Sequence, residues 1–166
     1  HAWLISQTCA ALPFQHRYTS GVIAFDRHDI DIAAWTRGDL ALRGLTDALM
    51  RDFEDTAFAG IPEEHRPEVL WNAHTDKRRL ELNFLFARAV LDSQGRLKAI
   101  NPKPPRSIGF ALWEAFRDSW NHRHGWADPL APERHRHLKL PGSVISSPAR
   151  DIEGNPIFDF REELDM

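Results

Sequence analysis

Two stretches of alternating apolar and polar residues, joined by a short polar link, constrain the fold of this chain more than any other feature. They are Val69-Leu-Trp-Asn-Ala-His-Thr75 and Arg79-Leu-Glu-Leu-Asn-Phe-Leu-Phe86, with Asp76-Lys-Arg78 between them. Each reads as a β-strand, and so short a link predicts an antiparallel hairpin. Successive strand side chains alternate faces, so Leu80, Leu82 and Phe84 share one side while Glu81 and Asn83 share the other. On the partner strand Val69, Trp71 and Ala73 share a face and leave Asn72 and His74 opposite. One face is then core, and pairing brings His74, Glu81 and Asn83 together on the other. An imidazole nitrogen, a carboxylate oxygen and an amide oxygen form a mixed set that suits Mg²⁺ or Mn²⁺ better than Zn²⁺, which favours thiolates and several imidazoles. Alternation alone is equally the signature of a half-buried strand whose polar face is merely solvated.

The rest of the chain supplies partners for this hairpin. Tyr18-Thr-Ser-Gly-Val-Ile-Ala-Phe25 predicts another strand, reached from a helical or looped stretch that ends near Pro13. Leu40, Leu42, Leu45, Leu49, Met50 and Phe53 recur near helical spacing, with Asp39 as N-cap and Gly60-Ile-Pro62 as stop, which predicts a helix over Asp39 to Thr56. Asp92-Ser-Gln-Gly95 is a turn, and Asn101-Pro-Lys-Pro-Pro105 is an extended loop where proline forbids helix. Ile108 to Asn121 reads as an amphipathic helix closed by Gly125, with Trp113, Phe116 and Trp120 on its core side. The sequence therefore divides into one domain over residues 1–140 and an irregular tail over 141–166.

With 166 residues and 42% hydrophobic content the chain can bury one sizeable core. Its net charge of −3 argues against broad nucleic-acid affinity, so any such attraction must be local. Lys77, Arg78 and Arg79 adjoin one another, with Arg96, Lys98, Lys103 and Arg106 following, while many acids lie between Asp26 and Glu64 and near the C-terminal end. A lone cysteine, Cys9, excludes an intrachain disulfide and suits a reducing cytosol. No apolar run is long enough to span a membrane, and the first 25 residues lack the plan of a secretion signal, which makes the cytoplasm the expected location.

His74-Thr-Asp-Lys-Arg-Arg-Leu-Glu-Leu-Asn83 resembles the His-Glu-Asn metal motif of the mobilisation relaxases of small colicin-type plasmids, in which Glu and Asn replace the second and third histidines of most relaxases. His16-Arg-Tyr-Thr-Ser-Gly-Val-Ile-Ala-Phe25 is similar to that family's Tyr-Thr-Ser-Gly-Val strand. Trp113 through Asn121 to Asp128-Pro129-x-x-Pro132 resembles its next helix and Asp-Pro turn. The likeness covers roughly residues 10–136. It implies an α+β fold of the HUH-endonuclease kind, a central antiparallel β-sheet with helices packed on one face. It implies a bacterial, metal-assisted DNA nicking transesterase: a tyrosine attacks single-stranded DNA at a plasmid transfer origin, leaving a 5′-phosphotyrosyl protein. The cation stabilises charge on the attacked phosphate. His74, Glu81 and Asn83 would hold Mg²⁺ or Mn²⁺, and Asp76 would orient His74 through its other ring nitrogen. By their charge alone Lys77, Arg78, Arg79 and Lys103 read either as ordinary surface residues or, next to a metal-bound phosphate, as DNA contacts. Mobilisation accessory proteins are further implied partners.

The family's nucleophile precedes the Tyr-Thr-Ser-Gly-Val strand, whereas no tyrosine precedes Tyr18 here. Tyr18 matches the strand tyrosine instead, so the catalytic tyrosine is expected upstream of His1. Two other functions stay open on the residues: a catalytically incomplete single-stranded DNA-binding accessory domain, and a metal-dependent nuclease that uses water. His122, His124, His135 and His137 form two i, i+2 pairs, but without cysteines or a regular framework they read as solvated loop histidines.

Overall fold

The computed structural model describes residues 2–103 and 107–134. In chain order its elements are α1 (Ala2–Ala11), β1 (Tyr18–Ala24), α2 (Ile32–Thr36), α3 (Leu40–Ala57), β2 (Val69–His74), β3 (Glu81–Ala87), β4 (Ala89–Leu91), β5 (Leu97–Ala99) and α4 (Ser107–His124), with 3-10 turns at Glu63–His65 and Pro132–Arg134. Contacts divide the chain into two units, His1–Asp128 and Pro129–Met166. All the helices and strands named here belong to the first, and the tail expected over 141–166 lies outside the described residues.

Strand β3 is polar only at Glu81 and Asn83, and both of its edges are paired. It runs antiparallel to β1 on one side and to β2 on the other, giving the order β1-β3-β2. The expected hairpin is therefore present, with β3 at the centre of the sheet. Leu82, Phe84 and Phe86 alternate onto one face and are joined there by Ile23 of β1 and by Val69 and Trp71 of β2. On that face Phe53 of α3 touches Phe84, Trp71, Trp113 and Phe116 at ring-centroid distances of 4.5 to 6.3 Å. Interlocking aromatic rings of this kind exclude water and fix the helices against the sheet.

Helix α3 forms where the apolar spacing places it. Asp39 caps it, its carboxylate accepting from the Leu42 N–H at 3.0 Å, and Thr46, Leu49 and Phe53 are its buried stripe. Two acids on α3 tie its neighbours down: Glu54 accepts from the Trp71 indole of β2 and Asp52 from the Trp120 indole of α4, both at 2.7 Å. Such bonds satisfy the one polar atom of an otherwise apolar ring. Helix α4 carries Trp113, Phe116 and Trp120 into the two core clusters and ends at Gly125, whose φ of 64° lies in the left-handed region. Its last turn includes His122 and His124, so these are helical and not loop residues; His124 stacks on Trp120 and Trp126. His135 and His137 lie outside the described residues.

The architecture is thus mixed, with antiparallel sheets and helices, as the sequence led one to expect of an α+β chain. Helix α1 also touches β3. Its buried Ile5, like nearby Leu12, belongs to neither aromatic cluster. No helix of the described residues is long and apolar enough to cross a membrane.

Candidate metal centre

The face of the sheet away from the aromatic clusters is polar where β2 and β3 meet. Pairing sets His74 directly opposite Glu81, and Asn72 directly opposite Asn83. Directly opposed side chains on one face have Cβ atoms about 5 Å apart, and Asn83 is one same-face step, about 7 Å, from Glu81. His74, Glu81 and Asn83 are therefore neighbours, with Val22 of β1 beside Asn83 and Ala24 beside Glu81. His74 and Asn72 are exposed, Asn83 is half-buried and Glu81 retains only 7% of its surface.

A buried carboxylate needs partners, and Glu81 has two. Arg79 donates to Oε1 through Nε at 2.9 Å and through a terminal nitrogen at 2.6 Å, and the Lys77 ammonium stands 3.5 Å from Oε2. The Arg79 hydrogen bond holds the Glu81 carboxyl below the usual carboxylate range; burial opposes this, and Lys77 adds to it. The link between the strands makes that grip possible: Arg78 takes a φ of 56°, a left-handed turn unusual for a residue with a Cβ, and on either side of it Lys77 and Arg79 fold back onto Glu81.

Asn72 organises the other two candidates. Its amide nitrogen lies 3.0 Å from His74 Nε2. The Asn83 amide nitrogen donates to the Asn72 carbonyl at 3.4 Å and to the Glu81 carbonyl at 3.5 Å, leaving Oδ1 as the atom to meet a cation. The ring contact of His74 is thus to Asn72, and no hydrogen bond joins it to Asp76 among the described residues. The sequence alone put Asn72 on this face without a role. Its position two residues before His74, on the same side of the strand, was the available signal.

The donor set fits a hard divalent cation: an ionised carboxylate, an amide oxygen and an imidazole lie on one partly exposed surface, and Glu81 already holds positive charge. Among the described residues no group of three or more His, Cys, Asp and Glu side chains is placed to hold a metal, so this set depends on its asparagine.

The remaining expected site residues are dispersed. Arg78 is exposed in the turn beside Lys77 and Arg79. Lys103 is elsewhere: its ammonium stands 4.2 Å from the Phe110 ring, in a loop whose Pro102 carbonyl accepts from Trp113 on the aromatic side of the sheet. Tyr18 is 57% exposed but pairs with Ala87, while Ala24 pairs with Glu81. Val22 pairs with Asn83, so at ~3.4 Å per residue Tyr18 stands about 14 Å along the strand from the level of Asn83 and about 20 Å from that of Glu81.

No family model and no solved structure matches the chain. Two proteins are similar to it. DNA relaxase MbeA of Escherichia coli is 31% identical over 144 residues, covering 87% of this chain and 25% of that protein. Cryptic plasmid protein C of Neisseria gonorrhoeae is 30% identical over 125 residues, covering 75% of this chain and 53% of that protein. The chain thus spans about a quarter of the first and about half of the second. Together these likenesses support a plasmid relaxase family for this chain.

Proposed function

We propose that this chain provides the metal-holding and strand-binding part of a DNA relaxase, a nicking transesterase of plasmid mobilisation acting in the bacterial cytoplasm on single-stranded DNA at a transfer origin. The pairing of His74 with Glu81, one step from Asn83 on the open face of the sheet, is the observation that carries this reading. These three residues would hold Mg²⁺ or Mn²⁺, and such a cation polarises a phosphodiester and stabilises its developing charge. Asn72 positions the His74 ring. Lys77, Arg78 and Arg79 supply local positive charge for phosphates on a chain whose net charge is −3. Mobilisation accessory proteins would be its further partners.

Tyr18 is not the attacking residue in this reading. A residue about 14 to 20 Å along the strand from the ligands is too far to attack a phosphate held by them, and Tyr18 is the chain's single tyrosine. The chain should therefore bind single-stranded DNA without forming a phosphotyrosyl adduct. Fluorescence anisotropy with an oligothymidine should show binding at low salt that weakens steeply as salt rises. Mn²⁺ should strengthen it, and His74→Ala should remove the Mn²⁺-dependent part. Absence of binding at low salt would refute the proposal. Denaturing electrophoresis with origin DNA should show no adduct; one that Tyr18→Phe abolishes would restore Tyr18 as nucleophile, and cleavage without an adduct would indicate a water-using nuclease.

A further inference from the structure

The tightest contact at the candidate centre joins two of its own side chains. Arg79 places two guanidinium nitrogens on Glu81 Oε1, at 2.9 and 2.6 Å, and Lys77 faces Oε2 at 3.5 Å. A carboxylate oxygen gripped in this way has few lone-pair directions left for another cation. Yet both basic side chains are largely in water, Arg79 being 44% and Lys77 63% exposed, while the Glu81 side chain is only 10% exposed. The carboxylate is fixed in the sheet and its partners can leave. Their release would put two positive charges beside Arg78, on the strip that the proposed function assigns to DNA phosphates.

We propose that Arg79, seconded by Lys77, is an exchangeable counter-ion of Glu81: a divalent cation displaces it from the carboxylate, and the freed guanidinium binds a phosphate of the single strand. This deepens the metal reading of His74, Glu81 and Asn83 and rests on it. Cation and strand then favour one another, because each stabilises the state in which Arg79 has left Glu81, and the coupling is reciprocal.

The test is Mn²⁺ calorimetry on wild type, Arg79→Ala and Arg79→Gln, followed by oligothymidine anisotropy with and without Mn²⁺. Circular dichroism checks that each variant folds, and Arg79→Gln retains most of the side chain. Losing an exposed competitor should tighten Mn²⁺ binding about two- to five-fold in both variants, with a smaller gain for Lys77→Ala. The strengthening of DNA binding by Mn²⁺ seen in wild type should shrink in both Arg79 variants. Unchanged or weaker Mn²⁺ binding in both, against a wild type that binds it, would overturn the exchange and leave the metal site standing. No Mn²⁺ binding in any of the proteins would remove the metal site and this inference together. Binding by the Arg79 variants alone would support the exchange in its strongest form.

Discussion

At Gly21 a single hydrogen in place of a side chain lets two strands close. A Cβ there would lie 2.5 Å from Cζ of Phe84, the residue it pairs with on β3. Phe84 cannot swing aside, because its ring is packed against Phe53 at 4.5 Å and Trp71 at 5.5 Å. Gly21→Ala should therefore cost about 1–3 kcal/mol, the usual range for overpacking a filled core. The urea midpoint would report it, and Phe84→Leu in the same chain should recover part of the loss; an unchanged midpoint would contradict the packing. At this scale sequence reading reached His74, Glu81 and Asn83, because strand alternation fixes which side chains share a face. It did not reach the use of Arg79 and Lys77 by Glu81, since which acid a flexible basic side chain meets depends on the course of the turn between the strands.

Single elements differ in how plainly their sequences announce them. Helix α3 was legible from its cap and its stripe: Asp39 accepts from the Leu42 N–H, and Leu49 and Phe53 are buried where the spacing put them. Helix α2 was not. With five residues it is too short to show a period, and Asp31, which caps it by accepting from Ala34 N–H at 2.9 Å, was its one signal. Strands β4 and β5 escaped for the same reason, although the turn at Asp92 to Gly95 between them was evident. Asp92 holds that turn: its carboxylate accepts from the Arg96 and Gln94 N–H groups and from the Arg96 side chain, all at 2.9 Å. The Arg96 backbone bond is the main cause that keeps its carboxyl below the usual range. A carboxyl depressed by folding adds stability above its unfolded pKa and loses it as pH falls through the folded one. The β4-β5 turn should accordingly loosen only in acid below the usual carboxylate range. Amide NMR shifts of Gln94 and Arg96 should follow that titration, and Asp92→Asn should abolish it; a titration centred at or above the usual range would contradict this account of the turn.

The whole molecule separates its two tasks by sheet face. Aromatic rings from α3, α4, β2 and β3, with Ile23 of β1, pack one side, while the other presents exposed His74, Asn72 and Val22 with half-buried Asn83. That division follows from the alternation of β3 over residues 81–84, where Leu82 and Phe84 face the core and Glu81 and Asn83 the other side. It would also let a chain of net charge −3 bind the polyanion proposed for it, since the positive side chains needed are grouped at the hairpin turn and a cation would add to them. Lys103 was assigned to that surface from charge alone. Its loop instead packs with the aromatic side, through Trp113 and Phe110. The polar end of the hairpin is proposed to hold one divalent cation, and paramagnetic broadening of amide NMR signals by substoichiometric Mn²⁺ locates such an ion directly. Asn72, His74, Glu81 and Asn83 should broaden first, Tyr18 and Ala87 at the far end of the sheet should be affected least, and His74→Ala should weaken the effect. Uniform broadening, or broadening centred on the acids of α3, would contradict this placement.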